Sequence, residues 1–269
     1  MSKSLSPELG AALRRLRLGR MIDTLPERIE LAEAQGMALD DLLTLVLTDE
    51  IARRDSTAVS NRIADAKLDA DMTIERFDKS AKITFDKKLF AELCSLRFLQ
   101  AHRHVVILGP VGVGKTFIAN ALGHLACRHR YDVRFLRADQ MLSLLRKSRL
   151  DNSHDVEMTA LCAVDLLVID DFALEPMSRE ESKDLYQLFI ERTGRASVIL
   201  TSNRDTAEWL RMFDDVLLAQ SAIDRFMNAA YDLVIEGESY RPRLKPKLDN
   251  DPVPDAPVTK KPGKPRRPR

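Results

Sequence analysis

Several ingredients are scarce or missing in this 269-residue chain, and each absence narrows what it can be. No run approaches the ~18 consecutive apolar residues of a bilayer-spanning helix, and the N-terminal MSKSLSPELGAALRRLRLGR lacks the apolar stretch of a secretion signal. Only three cysteines occur, Cys94, Cys127 and Cys162, an odd number without C-x-x-C spacing. That argues against a disulfide framework or zinc ribbon and for buried thiols in a reducing compartment. The five histidines (His102, His104, His124, His129 and His154) show no H-E-x-x-H or comparable metal-ligand spacing. The expectation is a cytoplasmic protein with no membrane partner.

An excess of one charge is also missing overall, since 42 Lys plus Arg face 41 Asp plus Glu. The distribution is uneven, however. Ten basic and three acidic residues fall in 241–269, which leaves 32 basic and 38 acidic residues in the remainder. Eight of the twelve prolines also lie beyond residue 241, so 242–269 reads as a basic, proline-rich, disordered tail that cannot build a packed core.

With 45% hydrophobic residues there is ample material for a core elsewhere. Residues 1–70 read as helical. Leu9, Leu13 and Leu16 fall at helical spacing, and Leu39, Leu42, Leu43, Val46, Leu47 and Ile51 form a stronger stripe. Pro26 and Gly36 punctuate this pattern, which predicts about three helices. Arg14, Arg15, Arg17 and Arg20 cluster in the first, either as a solvated face or as a phosphate-contacting patch. From residue 71 a mixed connector leads into 71–241, where short β-rich runs alternate with helical ones. HVVILG, DVRFLRA, DLLVIDD, SVILTSN and YDLVIEG are five strand candidates, three of them almost wholly aliphatic. Helices between consecutive strands predict a doubly wound α/β domain with a five-stranded parallel sheet.

The first of these strands runs into GPVGVGKT at residues 109–116, and KTFIANALGHLACR continues with helical periodicity. Gly109, Gly114, Lys115 and Thr116 satisfy G-x-x-x-x-G-K-[ST] in the strand-loop-helix setting that the motif requires. The loop Gly109, Pro110, Val111, Gly112, Val113 and Gly114 can turn its N–H groups inward at a helix N-terminus, where a polyphosphate is favoured. Lys115 would reach the β- and γ-phosphates of ATP, and Thr116 would ligate Mg²⁺. DLLVIDD supplies a carboxylate, Asp170, expected at the end of a neighbouring strand to complete the metal site, with Asp171 placed to polarise a water. SVILTSN ends in Asn203, either a γ-phosphate contact or an ordinary turn residue. An N-K-x-D guanine-reading motif is lacking, since NRDT carries Arg204 where lysine is needed. Trp209, the single tryptophan, is expected in the core.

The run LLVIDDFALEPMSREESKDLYQLFIERTGRASVILTSNRDTAEWL, together with LLAQSAIDRFMNAAYDLVIEGESYR, resembles the IstB-like ATPases, helper proteins of a family of bacterial insertion sequences. It is also similar to their relatives, the DnaC-type replicative helicase loaders. The resemblance covers nearly the whole chain and implies an AAA+ P-loop NTPase of the initiator group, preceded by a small all-α N-terminal domain that binds DNA or a partner. It implies that Asp170 is the metal carboxylate, Asp171 the water-polarising acid and Asn203 the γ-phosphate sensor. Arg225 in AIDRF would be an arginine finger reaching the ATP of an adjacent subunit, and Arg241 in ESYR a second sensor for the subunit's own nucleotide. Asp171 departs from the glutamate of many relatives by a shorter arm. The implied partners are duplex DNA, the cognate transposase and further copies of the chain in a ring or helical oligomer. A helicase loader is the alternative, and a small-molecule kinase using the same loop a third possibility.

Overall fold

The computed structural model describes residues 5–78 and 80–244, so the tail expected over 242–269 lies outside the described residues, apart from a 3-10 turn at Arg241–Leu244. Three helices come first: α1 (Pro7–Arg15), α2 (Met21–Gln35) and α3 (Leu39–Asp65). The Ser6 hydroxyl caps α1 by accepting from the Leu9 amide, and Gly36, at φ 63°, ends α2. Pro26 does not punctuate the chain as expected. It sits inside α2, and the break between the first two helices falls at residues 16–20, where Arg17 takes φ 60°.

The leucine stripe of α3 is a second departure from expectation. Val46 is buried with Leu13 and Met21 in a small core that Leu18, Ile22, Leu25 and Leu42 border, whereas Leu39, Leu43, Leu47 and Ile51 are exposed. The bundle is too thin to cover both flanks of its longest helix. Ion pairs add to this modest core: Arg28 to Asp49 at 2.7 Å, and both Arg53 and Arg54 to the buried Glu50 carboxylate.

Next come a 3-10 turn at Ile74–Arg76, β1 (Ile83–Thr84), α4 (Lys87–Cys94) and α5 (Arg97–Gln100). The α/β domain then runs β2 (His104–Leu108), α6 (Lys115–Arg128), β3 (Val133–Arg137), α7 (Ala138–Ser148), α8 (His154–Ala163), β4 (Leu166–Asp170), α9 (Arg179–Arg192), β5 (Ser197–Ser202), α10 (Thr206–Trp209), α11 (Val216–Asn228), β6 (Ala230–Val234) and β7 (Glu236–Gly237). The expected five strands form one sheet in the order β3-β4-β5-β2-β6, with every pairing parallel. The three aliphatic runs are its central strands. Successive residues feed opposite layers: Val106, Leu167, Ile169, Val198 and Leu200 join the core under α7, α8, α9 and α11, and Val105, Ile107, Leu166, Val168 and Ile199 the core under α4, α5 and α6. Cys127 is buried and Cys94 and Cys162 are half-buried, all as free thiols. An antiparallel ribbon of β1 and β7 was not foreseen, because two-residue strands carry no readable alternation.

Arg192, fully buried at the end of α9, ties the lower edge of the sheet to α8. Its guanidinium donates to the carbonyls of Leu161 (2.7 Å), Cys162 (3.2 Å), Asp165 (3.4 Å) and Ser197 (2.6 Å), two of them at the negative end of α8. Burial lowers its pKa to about 10, so the charge persists at neutral pH. Replacing it by Met releases a buried cation but takes a donor from four carbonyls, of which that of Asp165 keeps the Ser197 amide, and the second effect is larger. Arg192→Met is expected to lose roughly 2–3 kcal/mol, read as a lower urea midpoint with unchanged slope.

Candidate functional site

Strands β2, β4 and β5 all end on one edge of the sheet, and the loops leaving them converge there. Gly109 leaves β2 with φ 152°, and a Cβ on it would stand 2.3 Å from the Ile235 carbonyl oxygen. Gly112, at φ 86°, faces Ser239, whose hydroxyl would lie 2.1 Å from an added Cβ. Both positions therefore exclude side chains, on conformational and on steric grounds. Helix α6 starts at once, so the loop's amides lie at its positive end. Lys115 is 7% exposed, and its ammonium donates to the carbonyls of Gly109 and Pro110 at 2.8 Å each. Burial lowers its pKa, opposed by the carboxylates of Asp171 and Asp170.

The Thr116 hydroxyl donates to Asp170 (3.0 Å to Oδ1, 3.1 Å to Oδ2), which is only 4% exposed. Strand β4 is not the neighbour of β2 that the sequence suggested, because β5 lies between them. Thr201 of β5 fills the gap: its hydroxyl donates to Asp170 Oδ1 at 2.5 Å and accepts from the Asp171 amide at 3.0 Å. Burial raises the Asp170 pKa, while the Thr201 and Thr116 hydrogen bonds oppose the rise. Asp171 adopts φ 54° and Ala173 φ 56°, a left-handed path that turns the chain sharply after β4. Trp209 lies in the core behind this turn, its indole donating to Ser202 Oγ at 3.1 Å and its ring edge-on to Phe172 at 4.9 Å.

Lys115, Thr116, Asp171, Asn203 and Arg241 all line one cavity of about 530 Å³, together with Val111, Gly112, Val113 and Gly114 of the loop. Asp171 also borders a smaller cavity of about 180 Å³ between α7 and the turn after β4. Arg225 is placed apart: it is exposed on α11 and does not line the large cavity, whereas the adjacent Phe226 is buried and stacks on His104 at 4.4 Å. Among the described residues no group of three or more His, Cys, Asp or Glu could hold a metal. Thr116 and Asp170 fit Mg²⁺ differently: one hydroxyl and one carboxylate suit an ion that takes its remaining ligands from phosphate and water.

The far wall of the cavity comes from a stretch with no recognisable motif. It consists of Asp71, Met72, Arg76, Phe77, Asp78, Ala81 and Ile83, ahead of the β2 strand, and Phe117 of α6. Phe77 packs against Phe117, Phe85 and Phe90 at 5.8–6.1 Å between ring centroids. The chain after β6 fastens this wall to the loop: the Tyr240 amide donates to Gly112 O at 2.8 Å and its hydroxyl to Asp78 Oδ2 at 3.0 Å. Thr201 could have been noticed as a hydroxyl interrupting an aliphatic strand. The wall carries no comparable signal.

The model of the IstB-like ATP binding protein family matches residues 11–248. The chain belongs to that family. Among IstB-like proteins, one from Mycobacterium tuberculosis, named as an ATP-binding protein in an insertion sequence, is 38% identical over 242 residues, covering 89% of this chain and 96% of the relative. One from Pseudomonas aeruginosa, named for insertion sequence IS21, is 33% identical over 240 residues, covering 89% and 91%. Among solved structures, the replication initiator DnaA with AMPPCP and single-stranded DNA aligns with a TM-score of 0.52 at 22% identity, covering 64% of this chain and 51% of that one. DnaI aligns with a TM-score of 0.53 at 18% identity, covering 61% and 90%. These likenesses establish that this IstB-like chain has the AAA+ P-loop fold.

The raised pKa of Asp170 makes its ionised form a burden on the fold. A carboxyl whose folded pKa exceeds its ordinary value of 3.8 stabilises most while protonated, and that contribution is lost as pH rises through the folded value. Asp170→Asn without ligand is therefore expected to melt roughly 2–5 °C above the parent at pH 7, with the difference closing as pH falls through the raised pKa.

Proposed function

We propose that this chain is an ATPase that assembles on duplex DNA as a ring or helical homo-oligomer and recruits or stimulates the transposase of its insertion sequence. The observation that carries the reading is the hydrogen-bonded cluster in which Thr116, which lines the large cavity with Lys115, holds the buried Asp170 together with Thr201 behind that wall, while Arg225 faces outward from another helix. One half of a phosphate-cleaving site is built into each subunit. The names of the insertion-sequence relatives, which match over 89% of the chain, favour the transposition role over helicase loading; the likeness to DnaI supports the fold common to both.

In this reading the base enters between Met72, Phe77, Ile83 and Phe117, and the phosphates meet the loop amides and the α6 N-terminus. Lys115 exchanges the Gly109 and Pro110 carbonyls for the β- and γ-phosphates. Thr116 and Asp170 would hold Mg²⁺, whose charge would offset that building on the phosphate oxygens. Asp171, fixed by the Thr201 hydroxyl through its amide, orients the attacking water, with Asn203 beside the γ-phosphate. Arg241 contacts the nucleotide of its own subunit. Arg225 of a neighbouring copy neutralises transition-state charge, which makes turnover depend on assembly.

Lys115→Ala should lose ATP binding in a fluorescent-nucleotide titration. Asp171→Asn should bind ATP and form DNA-bound oligomers but turn over on the order of 10²-fold more slowly; hydrolysis at the parental rate would remove Asp171 from its role. Arg225→Ala should bind ATP and lose about 10³-fold in hydrolysis. Mixing it with Lys115→Ala should recover part of that loss, because the intact finger of one variant meets the intact loop of the other. Co-assembly without recovery would exclude a finger acting between subunits.

A further inference from the structure

A chain of polar contacts running through the buried Asn120 and His124 joins the helical N-terminal unit to the phosphate end of the site. One turn into α6, Asn120 is 2% exposed and uses its carboxamide at both ends. Nδ2 donates to the Thr116 carbonyl at 2.9 Å, and Oδ1 accepts from the Asp69 amide at 2.9 Å. One turn further, His124, 3% exposed, places Nε2 at 2.8 Å from the Asp69 carbonyl, so both backbone groups of Asp69 are held by one face of α6. Between them Gly123 lies against Leu68, where an added Cβ would stand 2.8 Å from Leu68 Cδ2. The Ala66 carbonyl accepts from the Phe135 amide of β3 at 2.9 Å.

Residues 66–69 follow α3 immediately, so these contacts leave no slack between that helix and the body of the domain. Asparagine is a poor residue for a helix interior, and its amide is costly to bury without partners. Here the two bonds offset that cost, and they join two parts of the chain: Thr116, which holds Asp170, and the residues that follow α3. Helix α3, 27 residues and about 40 Å long, carries the N-terminal core at its other end. A small movement at residues 66–69 becomes a larger one there.

We propose that Asn120 is a positioning residue that couples the phosphate and metal end of the site to the helical N-terminal unit, by bridging Thr116 to Asp69. The proposal rests on the nucleotide reading given above. A change in what the Thr116 hydroxyl binds shifts the first turn of α6, and the Asn120 carboxamide passes the shift to Asp69 and the last turn of α3. His124 keeps Asp69 on the helix during that movement.

The test is amide hydrogen exchange of the full chain, alone and with AMPPNP and MgCl₂, for the parent, Asn120→Leu and Asn120→Asp. Asn120→Asp keeps an acceptor for Asp69 and loses the donor to Thr116, and it preserves volume should the leucine variant fold poorly. In the parent, ligand should slow exchange at the loop and, by roughly threefold or more, across residues 60–70. In Asn120→Asp the loop should keep its ligand-dependent protection, with nucleotide affinity within about threefold of the parent, while the response across 60–70 is lost. A merely structural asparagine would change exchange there equally with and without ligand, and that result would overturn the proposal. So would a parent that protects the loop but not residues 60–70. A parent whose loop is not protected at all would overturn the nucleotide reading and the coupling with it.

Discussion

Much of this molecule is arranged around one carboxylate held out of water. Asp170 ends the second strand of the sheet, is almost inaccessible, and among the described residues has no cationic hydrogen-bond partner. Two hydroxyls share the task instead, Thr116 from the first turn of α6 and Thr201 from the strand lying between Asp170 and the loop. Hydroxyl donors stabilise the ion without neutralising it, so its charge remains available to a cation. The arrangement carries a stability cost in the raised pKa.

The same three-way contact organises the surroundings. Thr201 also receives the Asp171 amide, which sends the chain into its left-handed turn, and the Trp209–Phe172 pair backs that turn with a rigid aromatic contact. On the other side, Thr116 leads through Asn120 to the linker behind α3. The large cavity is closed by chain from both ends of the domain: the Phe77 cluster before β2, and Ser239 and Tyr240 after β6. The loop is thus clamped by segments some 130 residues away as much as shaped by its own glycines.

A good part of this was legible without coordinates. The three central strands announced themselves because strands covered on both faces must be aliphatic throughout, and the loop did so because phosphate-sized turns need glycine at fixed offsets. The α3 stripe misled: helical periodicity reports an amphipathic helix but not whether a partner covers each part of its apolar face, and Leu39, Leu43, Leu47 and Ile51 stay exposed. Pro26 misled as well: it stands well inside α2, where it lacks the amide for one helical hydrogen bond and yet does not end the helix. Arg225 had no signal of its own beyond the resemblance, because an exposed helical arginine looks the same whether or not another subunit needs it.

Local chemistry determined most of the elements by itself: where the five strands of the main sheet and the helices between them fall, that a glycine-rich loop follows β2, and that Asp170 and Asp171 stand at the end of β4. Only the tertiary structure decided who stands beside whom. It set β5 between β2 and β4 and so made Thr201 the partner of Asp170; it brought Phe77 and Tyr240 to the same cavity and fastened Asp69 to Asn120. The reason is physical. Periodicity and turn chemistry act over a few residues, whereas strand order and the meeting of side chains dozens of positions apart follow from closing one core over both faces of a sheet, which no single stretch of chain specifies.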